Sequence, residues 1–230
     1  MQNSERIRSE KGARPRMPFI DFVVDRIDQI LNLTGQHFAL ILAAMAVSIP
    51  LGLGLGILAS YSRWFRAIAL YLVDLVTTTP SIALFGLLIP WFGLGFPPAL
   101  IGLILYTQLP VMRNTCEGIN SIDPSIVEAA RGMGMRELRI LYRIKLPMAT
   151  ATILAGIRVA VVIGVGLATI AAYIGSGGLG ELILRGIARS DSTMVLVGAA
   201  LVSVLAMALD TVLKQAEARW SSRRFRGDKS

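Results

Sequence analysis

An all-α membrane protein with five transmembrane helices is the fold this sequence predicts, on three observations. The first is composition: 54% of the 230 residues are hydrophobic and the mean hydropathy is +0.62, more apolar surface than a soluble domain of this length can bury. The second is distribution. Phe38 to Ser60, Val159 to Gly180 and Ser192 to Leu209 carry no charge, and 38 uncharged residues separate Asp74 from Arg113; a hydrocarbon core of about 30 Å needs roughly 20 apolar residues per crossing helix. The third is punctuation by proline and glycine. The stretch between Asp74 and Arg113 would extend about 57 Å as one helix, so it must double back, and Phe96, Pro97 and Pro98 are positioned to supply the turn.

The elements follow in order. Residues 1–35 form a basic N-terminal leader on the periplasmic side, with no cleavage site after a short apolar region, so it is expected to stay on the mature protein. Within it Phe19, Phe22, Val23, Ile27, Ile30 and Leu31 recur at helical spacing with Asp21, Asp25 and Asp28 between them, the pattern of an amphipathic surface helix or else of a loosely ordered leader. The transmembrane domain occupies residues 36–213, with spans over about 36–60, 67–92, 99–113, 148–174 and 192–213. Residues 114–147 form a polar cytoplasmic loop, and residues 214–230 a basic cytoplasmic tail.

Charge supports that topology. The net charge is +8 and the pI near 10.2, which in a soluble protein would suggest nucleic acid as a partner. Here the basic residues collect at Arg63 and Arg66, between Arg131 and Lys145, and from Lys214 to Lys229, as expected of loops retained in the cytoplasm. No nucleic acid is implied. Cys116 and His37 are each the sole residue of their type, so no cysteine-based metal cluster is available and no chemistry is assigned to the histidine.

The loop 114–147 is the most informative segment. Asp123 followed by Pro124 is a helix start, and Gly132-Met133-Gly134 breaks that helix. A second helix is expected from about Arg136, with Leu138, Leu141 and Ile144 on one face, Arg136, Arg139 and Arg143 on the other, and Pro147 at its end. Glu128-Ala129-Ala130, three residues, Gly134, nine residues, then Ile144-Lys145-Leu146-Pro147 resembles the EAA signature of ABC importer permeases at every defining position. The resemblance implies a type I ABC importer permease fold and a coupling helix docked on a cytoplasmic ABC ATPase. Glu128, Ala129, Ala130, Gly134, Leu138, Leu141, Ile144, Leu146 and Pro147 would belong to that contact.

Further segments are similar to the glycine betaine, carnitine and choline permeases: Thr77-Thr78-Thr79-Pro80-Ser81, Ala155-Gly156-Ile157-Arg158, and Ile174 to Gly180 with Arg185-Gly186-Ile187 after it. The implied function is half of the translocation pathway of an importer for a quaternary-ammonium osmoprotectant in the bacterial inner membrane. The implied partners are the ATPase subunits, a periplasmic or lipid-anchored substrate-binding protein, a second permease copy or paralogue, and membrane lipid. Permeases for methionine and other small solutes share the architecture, and an ion-coupled secondary transporter is the alternative from another class, with Asp74 as its one intramembrane carboxylate.

The chain has no phosphate-binding loop and no nucleophile, base or metal constellation, so ATP and Mg are expected on the partner ATPase and no catalysis in this chain. Pro80 breaks the second span, and Thr77, Thr78, Thr79 and Ser81 either line a path there or bond back to their own helix. Tyr173, Gly175, Gly177 and Gly178 are the other pathway candidates. Asp74 and Arg158, the charges well inside the spans, are expected to act structurally, as a pair. The chain has only 8 Phe, 5 Tyr and 3 Trp. Trp91, Phe92, Phe96, Tyr106 and Tyr173 are too scattered for an aromatic cage, which places high-affinity recognition in the binding protein.

Overall fold

Helices form nearly all of the computed structural model, which describes residues 18–226. A short helix α1 (Pro18–Asp25) precedes α2 (Ile27–Tyr61), α3 (Arg63–Thr78), α4 (Ser81–Phe92) and α5 (Phe96–Asn120). The loop contains α6 (Pro124–Gly132) and α7 (Glu137–Ile140). A wide π turn (Leu141–Lys145) then leads into α8 (Leu146–Ala171), a 3₁₀ turn (Ala172–Ile174), α9 (Gly180–Ala188) and α10 (Ser192–Arg226).

Three helical stretches among the described residues are long and apolar enough to cross a bilayer: Ile27–Tyr61, Glu137–Ile174 and Ser192–Ala218. The pair α3 and α4, bent by 99° at Thr79-Pro80, makes a fourth if counted as one span. Three prolines, Gln108 and Arg113 interrupt the apolar run of α5, which nonetheless lies at the centre of the bundle.

α5 is buried because small residues let its neighbours come close. On α2, Ser48, Gly52 and Gly56 recur every four residues and face Thr107, Val111 and Thr115 of α5. A side-chain carbon on Gly52 would come within 2.7 Å of Val111, and one on Gly56 within 2.5 Å of Thr115. The two helices run parallel. α8 packs antiparallel on the other side, with Gly118 against Ala149 and Thr152, and Gly156 against Asn114 and Pro110. Lipid tails are as apolar as leucine, so van der Waals contact at such small-residue seams, with interhelical hydrogen bonds, holds the helices together. Those bonds are present: Ser48 and Thr107 hydroxyls lie 2.7 Å apart, and the Gln108 amide donates to the Ser48 hydroxyl at 2.9 Å.

The structure corrects several expectations. The chain reverses at Gly93-Leu94-Gly95, where φ is +73° and +100° at the glycines and the Gly95 N–H donates to the Ile174 carbonyl at 2.8 Å. Pro97 and Pro98 instead occupy the first turn of α5, where a missing N–H costs nothing. Pro147 does not end a helix: it sits in the first turn of α8, and the helix runs unbroken from Glu137 to Ile174. The π turn before it moves the carbonyl that a proline ring would strike in a regular helix.

The span helices also outrun their expected limits. α2 begins at Ile27, so residues 27–35 belong to it rather than to a separate leader. Ile30 and Leu33 are buried with Leu179, Leu182, Met194 and Val197, and Phe22 and Val23 of α1 pack on that cluster. The part of the leader over residues 1–17 lies outside the described residues. At the other end, α10 continues to Arg226 where the tail was expected to begin at Lys214; residues 227–230 are likewise outside the described residues.

The seam between α2 and α5 makes a direct expectation. Gly56→Leu should lower thermal stability in detergent by about 1–3 kcal/mol, the range for overpacking, whereas Gly54→Leu, with open space around Gly54, should melt like the native protein. Equal melting of the two variants would contradict the close approach.

Candidate functional site

The loop between α5 and α8 is built from local rules. The Asp123 carboxylate accepts the Ser125 backbone N–H at 2.8 Å and Pro124 occupies the first turn, a capped helix start. That N–H holds the Asp123 carboxyl below its usual range.

At the far end of α6 the Met135 N–H reaches the Ala130 carbonyl and the Gly134 N–H the Arg131 carbonyl, at 3.1 and 2.8 Å, with φ of +80° at Gly134. This is a Schellman termination, in which a left-handed residue turns the chain and satisfies the last carbonyls. Open space surrounds Gly134, so its backbone conformation alone requires glycine.

Across that turn Arg131 Nε and Glu137 Oε1 lie 2.5 Å apart, tying α6 to α7. The Arg131 hydrogen bond holds the Glu137 carboxyl below its usual range. The group is depressed on folding, so the pair is intact above the ordinary glutamate value and is lost only as pH falls through the lowered one. Around neutral pH this pair therefore stays charged.

The loop exposes apolar surface. Glu128 and Ala129 are exposed, Met133 is 76%, Leu138 70% and Tyr142 67% accessible, while Ala130 is buried. Leu138 and Leu141 therefore do not share a buried face as expected. Leu141, 5% exposed, packs with Ile119, Ala149 and Ile153, and Ile140 is fully buried beside it, so Leu138 is left pointing outward. Ile144, Leu146 and Pro147 are half-buried at the root of α8. Lys145 Nζ lies 4.9 Å from the Tyr61 ring, linking that root to the end of α2.

The second group of candidates lies at the break between α3 and α4. Thr77, Thr78 and Thr79 hydroxyls all donate to carbonyls of their own helix, at Asp74 and Leu75. The Thr79 carbonyl accepts the Tyr106 hydroxyl from α5, so that carbonyl is satisfied by protein. Thr78 remains exposed, and Ser81 begins α4.

The glycine-rich segment is a crossing point. Gly178 donates its N–H to Gln36 Oε1 at 3.1 Å, Gly177 lies over the same side chain, and Gly178 rests against the buried His37. Tyr173 and Gly175 are exposed next to it.

Asp74 and Arg158 do not pair with each other. Asp74 is bound by Arg113 at 3.2 Å, and Arg158 by Asp210 and Glu217, each at 3.1 Å. Arg113 had been placed at a span end, but α5 runs seven residues beyond it to Asn120. Glu217 had been placed in the tail, but α10 continues through it. Arg113 and Glu217 were missed because hydropathy marks where apolar runs stop rather than where helices do, and Asp210 because its partner lies 52 positions away.

Residues 48–223 match the family described as the binding-protein-dependent transport system inner membrane component, and the chain belongs to it. It is thus the inner-membrane permease component of such a system. Within that family it is 41% identical to the osmoprotectant import permease protein OsmW of Salmonella typhimurium over 202 residues, covering 86% of this chain and 94% of that one. It is 33% identical to the carnitine transport permease protein OpuCB of Listeria monocytogenes over 90% of this chain and 95% of that one. It is 31% identical to the choline transport system permease protein OpuBB of Bacillus subtilis over 86% and 91%.

Among solved structures, an inward-facing MetNI methionine ABC transporter chain superposes with a TM-score of 0.78 at 17% identity, covering 85% of this chain and 98% of that one. A chain of a bacterial ABC transporter that imports the polysaccharide alginate gives 0.67 at 16%, covering 90% and 85%. At these identities the likeness shows the fold alone.

The loop geometry makes its own expectation. Gly134→Ala forces a side chain into the left-handed region and should cost about 1–2 kcal/mol of local stability, read as faster proteolysis or hydrogen exchange of residues 124–140. Gly134→Asn should be milder. Equal protection in both variants and the native chain would remove the backbone argument.

Proposed function

We propose that this chain forms half of the pathway of an importer for quaternary-ammonium osmoprotectants, crossing the membrane five times and dimerising with a second copy or a paralogue. The five crossings are α2, the bent α3–α4 pair, α5, α8 and α10. The substrate class rests on the printed functions of the relatives, osmoprotectant, carnitine and choline permeases at 31–41% identity. No catalysis belongs to this chain; a cytoplasmic ATPase binds ATP and Mg, and a binding protein outside delivers solute.

The observation that carries the coupling role is the loop. Its Glu128-Ala129 surface, with Met133 and Leu138 exposed beside it, is set by a Schellman turn and an ion pair at the root of a helix that runs unbroken from Glu137 to Ile174. An ATPase that grips this surface moves a rigid lever reaching the far side of the bundle. Glu128, Ala129, Ala130 and Gly134 form its head, and Leu141, Ile144, Leu146 and Pro147 its root. For solute passage we assign Thr78 and Ser81 at the break, with Tyr173 and Gly175 beside the outer turn. Gly177 and Gly178 hold the segment against α2.

Glu128→Lys should abolish uptake and solute-stimulated ATP hydrolysis by the assembled transporter while leaving membrane insertion intact. Normal stimulation in that variant would overturn the coupling role of the loop.

Recognition is assigned elsewhere, because the exposed aromatics are spread along the chain rather than grouped as a cage. Titration of permease with ATPase should show no glycine betaine binding at micromolar concentration, whereas the binding protein saturates there. Micromolar against millimolar sites differ by roughly 4 kcal/mol. Micromolar binding to the permease alone would sink this division, and uptake of methionine in preference to betaine would sink the substrate class.

A further inference from the structure

We infer that Arg158 is a positioning residue for coupling: it clamps α10 to the lever helix, so that movement of the cytoplasmic loop is passed to α10. Asp210 binds its Nε and Glu217 its Nη1, each at 3.1 Å. The two carboxylates are seven residues apart on α10, about 10 Å along the axis at 1.5 Å per residue, so one guanidinium spans two turns of the neighbouring helix. Lysine is a single point charge and lacks that fork.

Two features make the clamp more than local packing. Arg158 stands on the same unbroken helix as Glu137, at the loop, about 31 Å from it by the same rise, so a tilt imposed at the loop reaches it through backbone alone. α10, by contrast, exposes most of its surface within one chain: only 17% of its membrane window is buried. In its loop-side half Leu209 and Leu213 lie partly buried on the central core, as does Ile157 next to Arg158. Charges on membrane helices pair with one another rather than face lipid, and removing one partner leaves the other without its counter-charge. The three side chains remain 26–43% accessible, so the clamp can be broken by substitution without rebuilding a sealed core.

The inference rests on the lever reading of the loop, and its test is separable from that reading. The native transporter, Arg158→Met and the double variant Asp210→Asn/Glu217→Gln are reconstituted in liposomes with ATPase and binding protein. Labelled glycine betaine uptake is measured per ATP hydrolysed. Both variants should keep ATP hydrolysis within about twofold while uptake per ATP falls about tenfold, within the usual range of coupling between sites. Spin labels at Ile163 on α8 and Val204 on α10 should keep a fixed separation across nucleotide states in the native protein and lose it in both variants.

Should Arg158→Met fail to assemble, the double carboxylate variant, which leaves one positive charge, carries the test. Unchanged uptake per ATP, or uptake and hydrolysis falling in equal proportion, overturns the clamp. If Glu128→Lys uncouples while the clamp variants do not, the loop reading stands and this inference alone falls.

Discussion

Close approach of helices along small residues is the constraint on which the rest of this structure depends. In a bilayer the hydrophobic effect does not gather helices, so α5 can hold the centre only if α2 and α8 reach its backbone. Ser48, Gly52 and Gly56 on one side and Gly118 and Gly156 on the other permit that. Once they do, the polar groups of α5 become assets. Thr107 and Gln108 bond Ser48, Tyr106 satisfies the Thr79 carbonyl, and Arg113 neutralises Asp74. A helix that is too polar to face lipid is stable because its neighbours shield it.

That central helix also sets the loop. α5 delivers the chain to Asn120, the Asp123 cap starts α6, and Gly134 turns it back toward the lever helix. The turn is fixed by backbone bonds and one exposed ion pair, and Met133 and Leu138 beside it remain exposed. Beyond the turn, Ile140 and Leu141 are buried where the loop meets the bundle.

The intramembrane charges show the same economy. Asp74 and Arg158 are both paired, and each pairing joins two helices: α3 to α5 through Asp74 and Arg113, α8 to α10 through Arg158 with Asp210 and Glu217. The apolar outer faces of α3, α4 and α10 remain uncovered within one chain, at Tyr71, Leu75, Ile82, Leu87, Leu196 and Val212.

Much of this was legible in the residues. Apolar runs located three long spans, the Asp123-Pro124 start and the glycine at 134 located the loop elements, and the spacing from Glu128 to Pro147 identified the family, because each depends on local chemistry. Helix ends were not legible. Hydropathy reports where lipid stops, and α2, α5 and α10 all continue into polar sequence. The reversal at Gly93 to Gly95 was displaced onto Pro97 and Pro98 because proline reads as a breaker until its place in a first turn is known. The partners of Asp74 and Arg158 required the tertiary structure. Side chains 39 to 59 positions apart meet only once the register between helices is set, and that register is decided by which glycines face which helix, a matter of packing geometry that no single stretch of sequence contains.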